Sequence, residues 1–180
     1  MTLFTSNTKV GAVNHIGIAV VSLEESMKQF QELFDSPESE IILNEANGVR
    51  ATFINQGETH IELLQPIRDD TPIAKFILNH GEGIHHICFE VDDIQREIDE
   101  LKAREVQLVQ GAPREGFVGQ VEFIHPRAAG GVLVEIAQIE LRSPTSCGLS
   151  LHHATVATED SEGVSNLWKN NLNVIDHTRT

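Results

Sequence analysis

The chain has 180 residues, 40% of them hydrophobic and 22% charged, a balance that suits a soluble globular protein with one domain or two small modules sharing a core. With 27 Asp and Glu against 13 Lys and Arg, the net charge of −14 argues against nucleic acid or an anionic membrane as a partner, while leaving room for local cations to hold a phosphate or carboxylate. No apolar run is long enough to span a bilayer and MTLFTSNTKVG lacks the apolar core of a signal peptide, so a cytoplasmic location is the expectation.

In chain order, His15-Ile-Gly-Ile-Ala-Val20 reads as a strand, followed at once by a helix that Ser22 and Glu25 open as a capping box. Leu23, Met27, Phe30, Leu33 and Phe34 give that helix an apolar face. Three strands are predicted next, over 40–44, 49–55 and 59–65, with Gly48 and Gly57 as punctuation. The following linker holds a short helix with Pro72 near its first position, Ile73, Phe76 and Ile77 on its apolar face, and Gly81 at its end. His86-Ile-Cys-Phe-Glu-Val91 then repeats the first strand at an offset of 71, and Asp92 with Gln95 repeats the capping box. Ile94, Ile98 and Leu101 mark the second helix, and strands are predicted over 106–110, 119–125 and 131–138. Each copy is thus a βαβββ unit, one over about 12–66 and the other over about 84–138, within a domain of 10–138. A third start appears at His153-Ala-Thr-Val-Ala-Thr158, with Asp160 at the capping position and Trp168 and Leu172 at the apolar helix positions, so 139–180 reads as an extension resembling the beginning of a third module. Cys88 and Cys147 are too few and too far apart for a disulfide framework or thiolate zinc site, and Cys88 reads as a small core residue.

Strand alternation sorts the side chains into two faces. In the first strands, Ile16, Ile18 and Val20, and likewise Ile87, Phe89 and Val91, suit the helix-covered side, which leaves His15 and His86 on the other. In the last strands, Ile61 and Leu63, and Val132, Val134 and Ile136, suit the helix side, which leaves Glu62 and Glu135 opposite. His15 precedes Glu62 by 47 residues and His86 precedes Glu135 by 49, so each copy offers one His and one Glu at matching places. If the two sheets curve toward each other, these four form a set suited to a divalent ion such as Zn²⁺, Mn²⁺, Co²⁺, Ni²⁺ or Fe²⁺. A carboxylate among aliphatic strand residues is costly unless it is paired or metal-bound, which favours the same reading.

A lone strand histidine is more often structural than ligating, and His60, His85, His125 and His153 are assigned that role. His125-Pro126 reads as the turn before the last strand, and His85 lies at the strand edge or supports His86 from behind.

With these residues in place the chain resembles the vicinal oxygen chelate superfamily, which embraces glyoxalase I, extradiol dioxygenases and bleomycin-resistance proteins, and is closest to its methylmalonyl-CoA epimerases. The similar segments are AsnHisIleGlyIleAlaVal at 14–20, ThrHisIleGluLeuLeuGlnPro at 59–66, ThrProIleAlaLysPhe at 71–76, GlyGluGlyIleHisHisIleCysPheGluValAspAspIle at 81–94 and HisProArgAlaAlaGlyGlyValLeuValGluIle at 125–136, so the resemblance covers about 12–138. It implies an α+β fold of paired βαβββ modules in a curved, cup-like mixed sheet with helices outside. It implies one divalent ion per site, held by His15, Glu62, His86 and Glu135, with Glu135 also matching a family acid/base. The implied activity is epimerisation of methylmalonyl-CoA through α-proton abstraction and an enolate that the metal stabilises as a Lewis acid. A homodimer and an acyl-CoA or other enolisable small substrate follow from the same resemblance. The second family carboxylate maps near Ala51, which cannot move a proton, and Glu45 is its nearest acidic neighbour in sequence. Lys75, Arg114 and Arg127 are available for the phosphates of coenzyme A without any one being assigned.

Two alternatives stand beside this reading. Another metal enzyme on the same scaffold, a lactoylglutathione lyase or a dioxygenase, would share much of the donor set. A dioxygenase typically needs only two His and one carboxylate around Fe²⁺, so a second Glu argues against it. A bleomycin-resistance-like binding protein favours aromatic grooves, and this chain has no Tyr and one Trp.

Overall fold

The computed structural model describes residues 11–37, 39–56, 59–140 and 153–172. The element order is β1 (Val13–Ala19), α1 (Leu23–Phe34), β2 (Ile42–Asn44), β3 (Val49–Gln56), β4 (Thr59–Pro66), α2 (Pro72–His80), β5 (Gly83–Glu90), α3 (Ile94–Ala103), β6 (Arg114–Glu115), β7 (Gly119–Ile124), β8 (Val134–Ile139) and α4 (Ser161–Leu172). The βαβββ pattern therefore occurs twice, with α2 between the copies. Among the described residues two compact units divide within β5: an N-proximal unit of 13–88 with 153–154, and a C-proximal unit of 11–12, 89–140 and 155–172. Cys147 and the first ten residues lie outside the described residues.

In the N-proximal unit the strands run β2-β3-β4-β1-β5. Strands β1 and β4 are parallel, with His15 opposite His60 and Gly17 opposite Glu62. Strands β3 and β4 are antiparallel, with Phe53 opposite Glu62. Helix α1 begins where predicted, because the Ser22 side chain accepts from Glu25 N at 3.4 Å and the Leu23 N–H donates to Gln65 Oε1 at 2.8 Å. Its apolar stripe packs Leu23, with Met27, Phe30 and Phe34, against Ile54, Leu63 and Ile61 of the sheet. Arg50 ties the same helix to the sheet by donating twice to the Glu24 carboxylate, at 2.6 and 2.8 Å, and twice to Gln65 Oε1, at 2.8 and 3.2 Å. That guanidinium holds the Glu24 carboxyl below its ordinary range. Helix α2 has Pro72 at its first position and Gly81, at φ 79, after its last turn, as the sequence predicts, and the structure adds Thr71 as its N-cap.

In the C-proximal unit the order is β8-β7-β6, with both pairings antiparallel and Phe123 opposite Glu135. Helix α3 covers this sheet and buries Ile94, Ile98 and Leu101 with Ile124, Val134 and Ile136. Its N-cap is Asp93, one residue later than predicted, since it is the Asp93 carboxylate that accepts from Arg96 N at 3.0 Å. The Ile94 N–H donates to Gln138 Oε1, so the copies use the same device: a Gln three residues past the Glu of the last strand caps the module's helix. The strand predicted over 106–110 shrinks to a single bridge between Leu108 and Ile124. Glu122, 1% exposed on β7, explains the loss: its carboxylate accepts the N–H groups of Gln110, Gly111 and Ala112 at 2.9–3.1 Å and bends the segment away from a ladder.

The third repeat is realised only as a helix. Residues 153–160 carry no strand and are largely exposed, whereas Asp160 caps α4 by accepting from Gly163 N at 2.8 Å. Helix α4 docks on its own unit. Leu172 is buried in the core, Trp168 Nε1 and Asn171 Nδ2 donate to the carbonyls of Ala129 and Ala128, and Arg104 donates to the carbonyls of Asn170 and Asn171 at the helix end. Among the described residues no helix is long and apolar enough to cross a membrane.

One buried acid is only partly compensated, by the charges of Arg104 and Arg96. Glu97 on α3 is 7% exposed, its Oε1 finds no hydrogen-bond partner, and burial together with the nearby Glu100 pushes its carboxyl from 4.5 up to about 7. The folded chain thus holds a proton that the unfolded chain has already released between those two values, so the contribution of Glu97 to stability is full below 4.5 and lost as pH rises through about 7. Glu97→Gln is expected to raise the melting temperature by roughly 3–6 °C at pH 8 and by little at pH 5. Equal shifts at the two pH values, read by thermal unfolding, would remove the titration as the cause.

Candidate metal centre

Three of the four residues singled out in the sequence meet inside the N-proximal unit. His15 on β1, Glu62 on β4 and His86 on β5 are 1%, 3% and 3% exposed. Their donor atoms form a tight triangle: His15 Nε2 to His86 Nε2 is 3.2 Å, His15 Nε2 to Glu62 Oε2 is 3.5 Å, and His86 Nε2 to Glu62 Oε2 is 3.4 Å. Parallel pairing of β1 with β4 sets this up, because it brings Gly17, two residues after His15, opposite Glu62. Glu135, the fourth, lies on β8 of the other unit, 6% exposed and opposite Phe123, just as Glu62 lies opposite Phe53.

The triangle has the size a metal requires. Ligands at about 2.0–2.2 Å from a divalent ion are separated by about 3.0 Å at right angles and about 3.4 Å at tetrahedral angles. Proton placement points the same way. His15 Nδ1 lies 2.8 Å from Asn14 Oδ1, an acceptor, and when Nδ1 donates there the ring turns a lone pair on Nε2 toward Glu62. His86 Nδ1 lies 3.0 Å from His85 Nδ1. When His86 donates there, two imidazole lone pairs and a carboxylate oxygen face one another in a buried site, an arrangement that a cation stabilises. The residues present therefore fit a divalent ion.

Gly17 was not singled out by the sequence, and it is what admits His86. A methyl group on position 17 would overlap Cε1 of the His86 ring. The available signal was a glycine inside a strand, which often marks close approach by another group. Asn14 was also missed; its mark is a polar residue where alternation calls for an apolar one. His85, expected to lie at the strand edge or to support its neighbour, contacts His86 and packs edge-on at 5.0 Å against Phe76 of α2. His60 packs edge-on to Phe53, which in turn packs edge-on to His15. His125 accepts from Arg127 N and opens the turn before β8, as predicted.

Ala51 is fully buried in β3 and brings no titratable group, while Glu45 is exposed in the turn after β2. Of the cations considered for phosphates, Lys75 and Arg127 are exposed and Arg114 lies 4.8 Å over the Phe123 ring. Gly17→Ala is expected to weaken Co²⁺ binding by at least about tenfold through displacement of the His86 ring. Titration calorimetry on the metal-stripped variant checks this, and wild-type affinity would show that His86 is not a ligand.

Residues 14–123 match the family model of the Glyoxalase/Bleomycin resistance protein/Dioxygenase superfamily. The chain is 40% identical over 131 residues to a methylmalonyl-CoA epimerase of Dictyostelium discoideum, covering 72% of this chain and 79% of that protein. It is 38% identical over 133 residues to an ethylmalonyl-CoA/methylmalonyl-CoA epimerase of Cereibacter sphaeroides, covering 72% of this chain and 99% of that one. Among solved structures, a methylmalonyl-CoA epimerase in complex with methylmalonyl-CoA and NH₄⁺ superposes with a TM-score of 0.69 at 29% identity, over 73% of this chain and 96% of that chain. The paired βαβββ modules are accordingly those of the glyoxalase fold. Fold, donor set and sequence identity agree: the chain belongs to the glyoxalase/bleomycin resistance/dioxygenase superfamily and, within it, to the methylmalonyl-CoA epimerase family.

Proposed function

We propose that the protein is a metal-dependent epimerase that interconverts the epimers of methylmalonyl-CoA, or of a closely related acyl-CoA with an acidic α-carbon. The observation that carries this reading is the triangle of His15, Glu62 and His86, whose edges of 3.2–3.5 Å suit one divalent ion. Glu135 is the fourth ligand in this proposal. Its support is the internal repeat: it occupies in the second copy the place that Glu62 holds in the first, it is buried, and it stands across from a phenylalanine as Glu62 does. Co²⁺, Mn²⁺, Zn²⁺, Ni²⁺ and Fe²⁺ all suit two imidazoles and two carboxylates. The names of the relatives reported above, all of which include methylmalonyl-CoA, support the substrate.

The ion, when bound, supplies positive charge that steadies the enolate oxygen formed when the α-carbon loses its proton. His15, His86 and Glu62 would hold it, and their burial would keep bulk water from competing for it. Glu135 would be the acid/base on one face of the planar carbon in this reading, taking the α-proton from one epimer or giving it to the other, while inversion draws the second proton from a donor on the opposite face to which no residue is assigned. A lactoylglutathione lyase-like reaction would use the same proton transfer on another thioester or thiohemiacetal, and only the substrate contacts would differ. The proposal includes a homodimer, on family resemblance.

The deciding experiment is deuterium uptake by methylmalonyl-CoA in D₂O, with metal-stripped protein before and after Co²⁺ is added. Exchange at the α-carbon that requires both protein and metal is expected. Its absence from folded, Co²⁺-loaded protein would overturn this substrate and turn the search to other enolisable thioesters. Glu135→Gln is expected to lower turnover by about 10²–10⁴-fold, the range of a general acid–base group. Turnover close to that of the unaltered protein would take Glu135 out of the proton transfer.

A further inference from the structure

The two metal-site histidines are preceded by different residues that do the same thing. Asn14 and His85 stand at the repeat offset of 71, and each places a side-chain atom against Nδ1 of the histidine that follows it. The distances are 2.8 Å for Asn14 Oδ1 to His15 Nδ1 and 3.0 Å for His85 Nδ1 to His86 Nδ1. Alternation along a strand sends neighbouring side chains to opposite faces, so two independent contacts of this kind at matching positions are not a by-product of adjacency.

Resting on the metal reading above, we propose that Asn14 and His85 are positioning residues that hold His15 and His86 as Nδ1–H tautomers, with both Nε2 lone pairs turned to the ion. Phe76 of the linker helix is the third part of the device. Its ring stands perpendicular to His85 at 5.0 Å and stacks on His80 at 4.9 Å. Helix α2 is itself anchored by Thr71, 3% exposed, whose hydroxyl accepts from Ala74 N and donates to the carbonyl of Arg68. The ThrProIleAlaLysPhe segment thereby acquires a task at the metal centre, through a line of contacts from α2 to Phe76, His85 and His86.

The two positions differ in what they permit. The Asn14 amide oxygen can only accept, so His15 is committed to one tautomer whether or not an ion is bound. His85 can accept or donate through Nδ1, so His86 reaches its ligating tautomer only when His85 presents its lone pair. Aromatic packing that restrains the His85 ring keeps that lone pair aimed at His86.

The test measures Co²⁺ dissociation constants by competition with a chromophoric chelator, together with the visible absorption of the Co²⁺ complex and the melting temperature of the metal-free protein. Asn14→Leu and His85→Leu are expected to raise the dissociation constant by about 10–100-fold and to change the Co²⁺ band. Asn14→Asp, which keeps the acceptor, is expected to retain tight binding and the original band, and this separates orientation from loss of folding. Phe76→Leu is expected to weaken binding several-fold alone and to add nothing in the His85→Leu background, because it acts through that ring. Unchanged Co²⁺ affinity and spectrum in Asn14→Leu and His85→Leu would overturn the proposal, as would equal losses in Asn14→Asp and Asn14→Leu. An unaltered protein that binds no Co²⁺ would remove the metal reading itself. Binding without α-proton exchange would remove the epimerase reading and leave this proposal standing.

Discussion

Two imidazole nitrogens and a carboxylate oxygen lie within 3.5 Å of one another in the protein interior, and electrostatics makes this the constraint on which the rest of the structure turns. Three lone-pair donors packed together out of water repel unless a proton or a cation sits among them. One imidazole has the Asn14 amide oxygen as an acceptor 2.8 Å from its Nδ1, on the side away from the triangle. The triangle is therefore built for positive charge, and the strands that carry it must be placed to within a few tenths of an ångström for the distances to suit a metal.

The repeat supplies that placement with a common plan. In each copy the last strand carries Glu at one position and Gln three residues later, and an odd separation puts the two on opposite faces. Glu62 faces the imidazoles of His15 and His86 while Gln65 caps α1, and Gln138, three residues after Glu135, caps α3 in the same way. One strand therefore locks its helix on one side and presents a carboxylate on the other. The register that brings Gly17 opposite Glu62 also opens the space into which the His86 ring fits. Packing and chemistry are thus coupled through single strands, which is why the three donors are buried together.

The departures from regular repetition have local causes. The segment before β6 should pair as a strand on hydrophobic pattern alone, but the Glu122 carboxylate draws three successive N–H groups to itself and Pro113 follows directly. A carboxylate that satisfies several backbone donors outweighs the weak preference of a short apolar run. In the third copy, the would-be strand at 153–158 has no ladder among the described residues, and what remains is an amphipathic helix that finds a core position for Leu172 and hydrogen bonds for Trp168 and Asn171. A strand requires neighbours on which to pair, whereas a helix satisfies its backbone internally and needs only one apolar face.

The sequence by itself determined the period of the repeat, the alternation that selects His15, Glu62, His86 and Glu135, and the helix boundaries written in Ser22, Pro72 and Gly81. These are local signals, each readable within a few residues, because caps and side-chain parity depend on short-range geometry. It did not determine the tautomers that Asn14 and His85 impose, the clearance at Gly17 for a ring 69 residues away, or the bend that Glu122 enforces on residues ten to twelve positions earlier. Those depend on strand register and on which polar atom reaches which partner, and such contacts exist only after distant segments have been brought together.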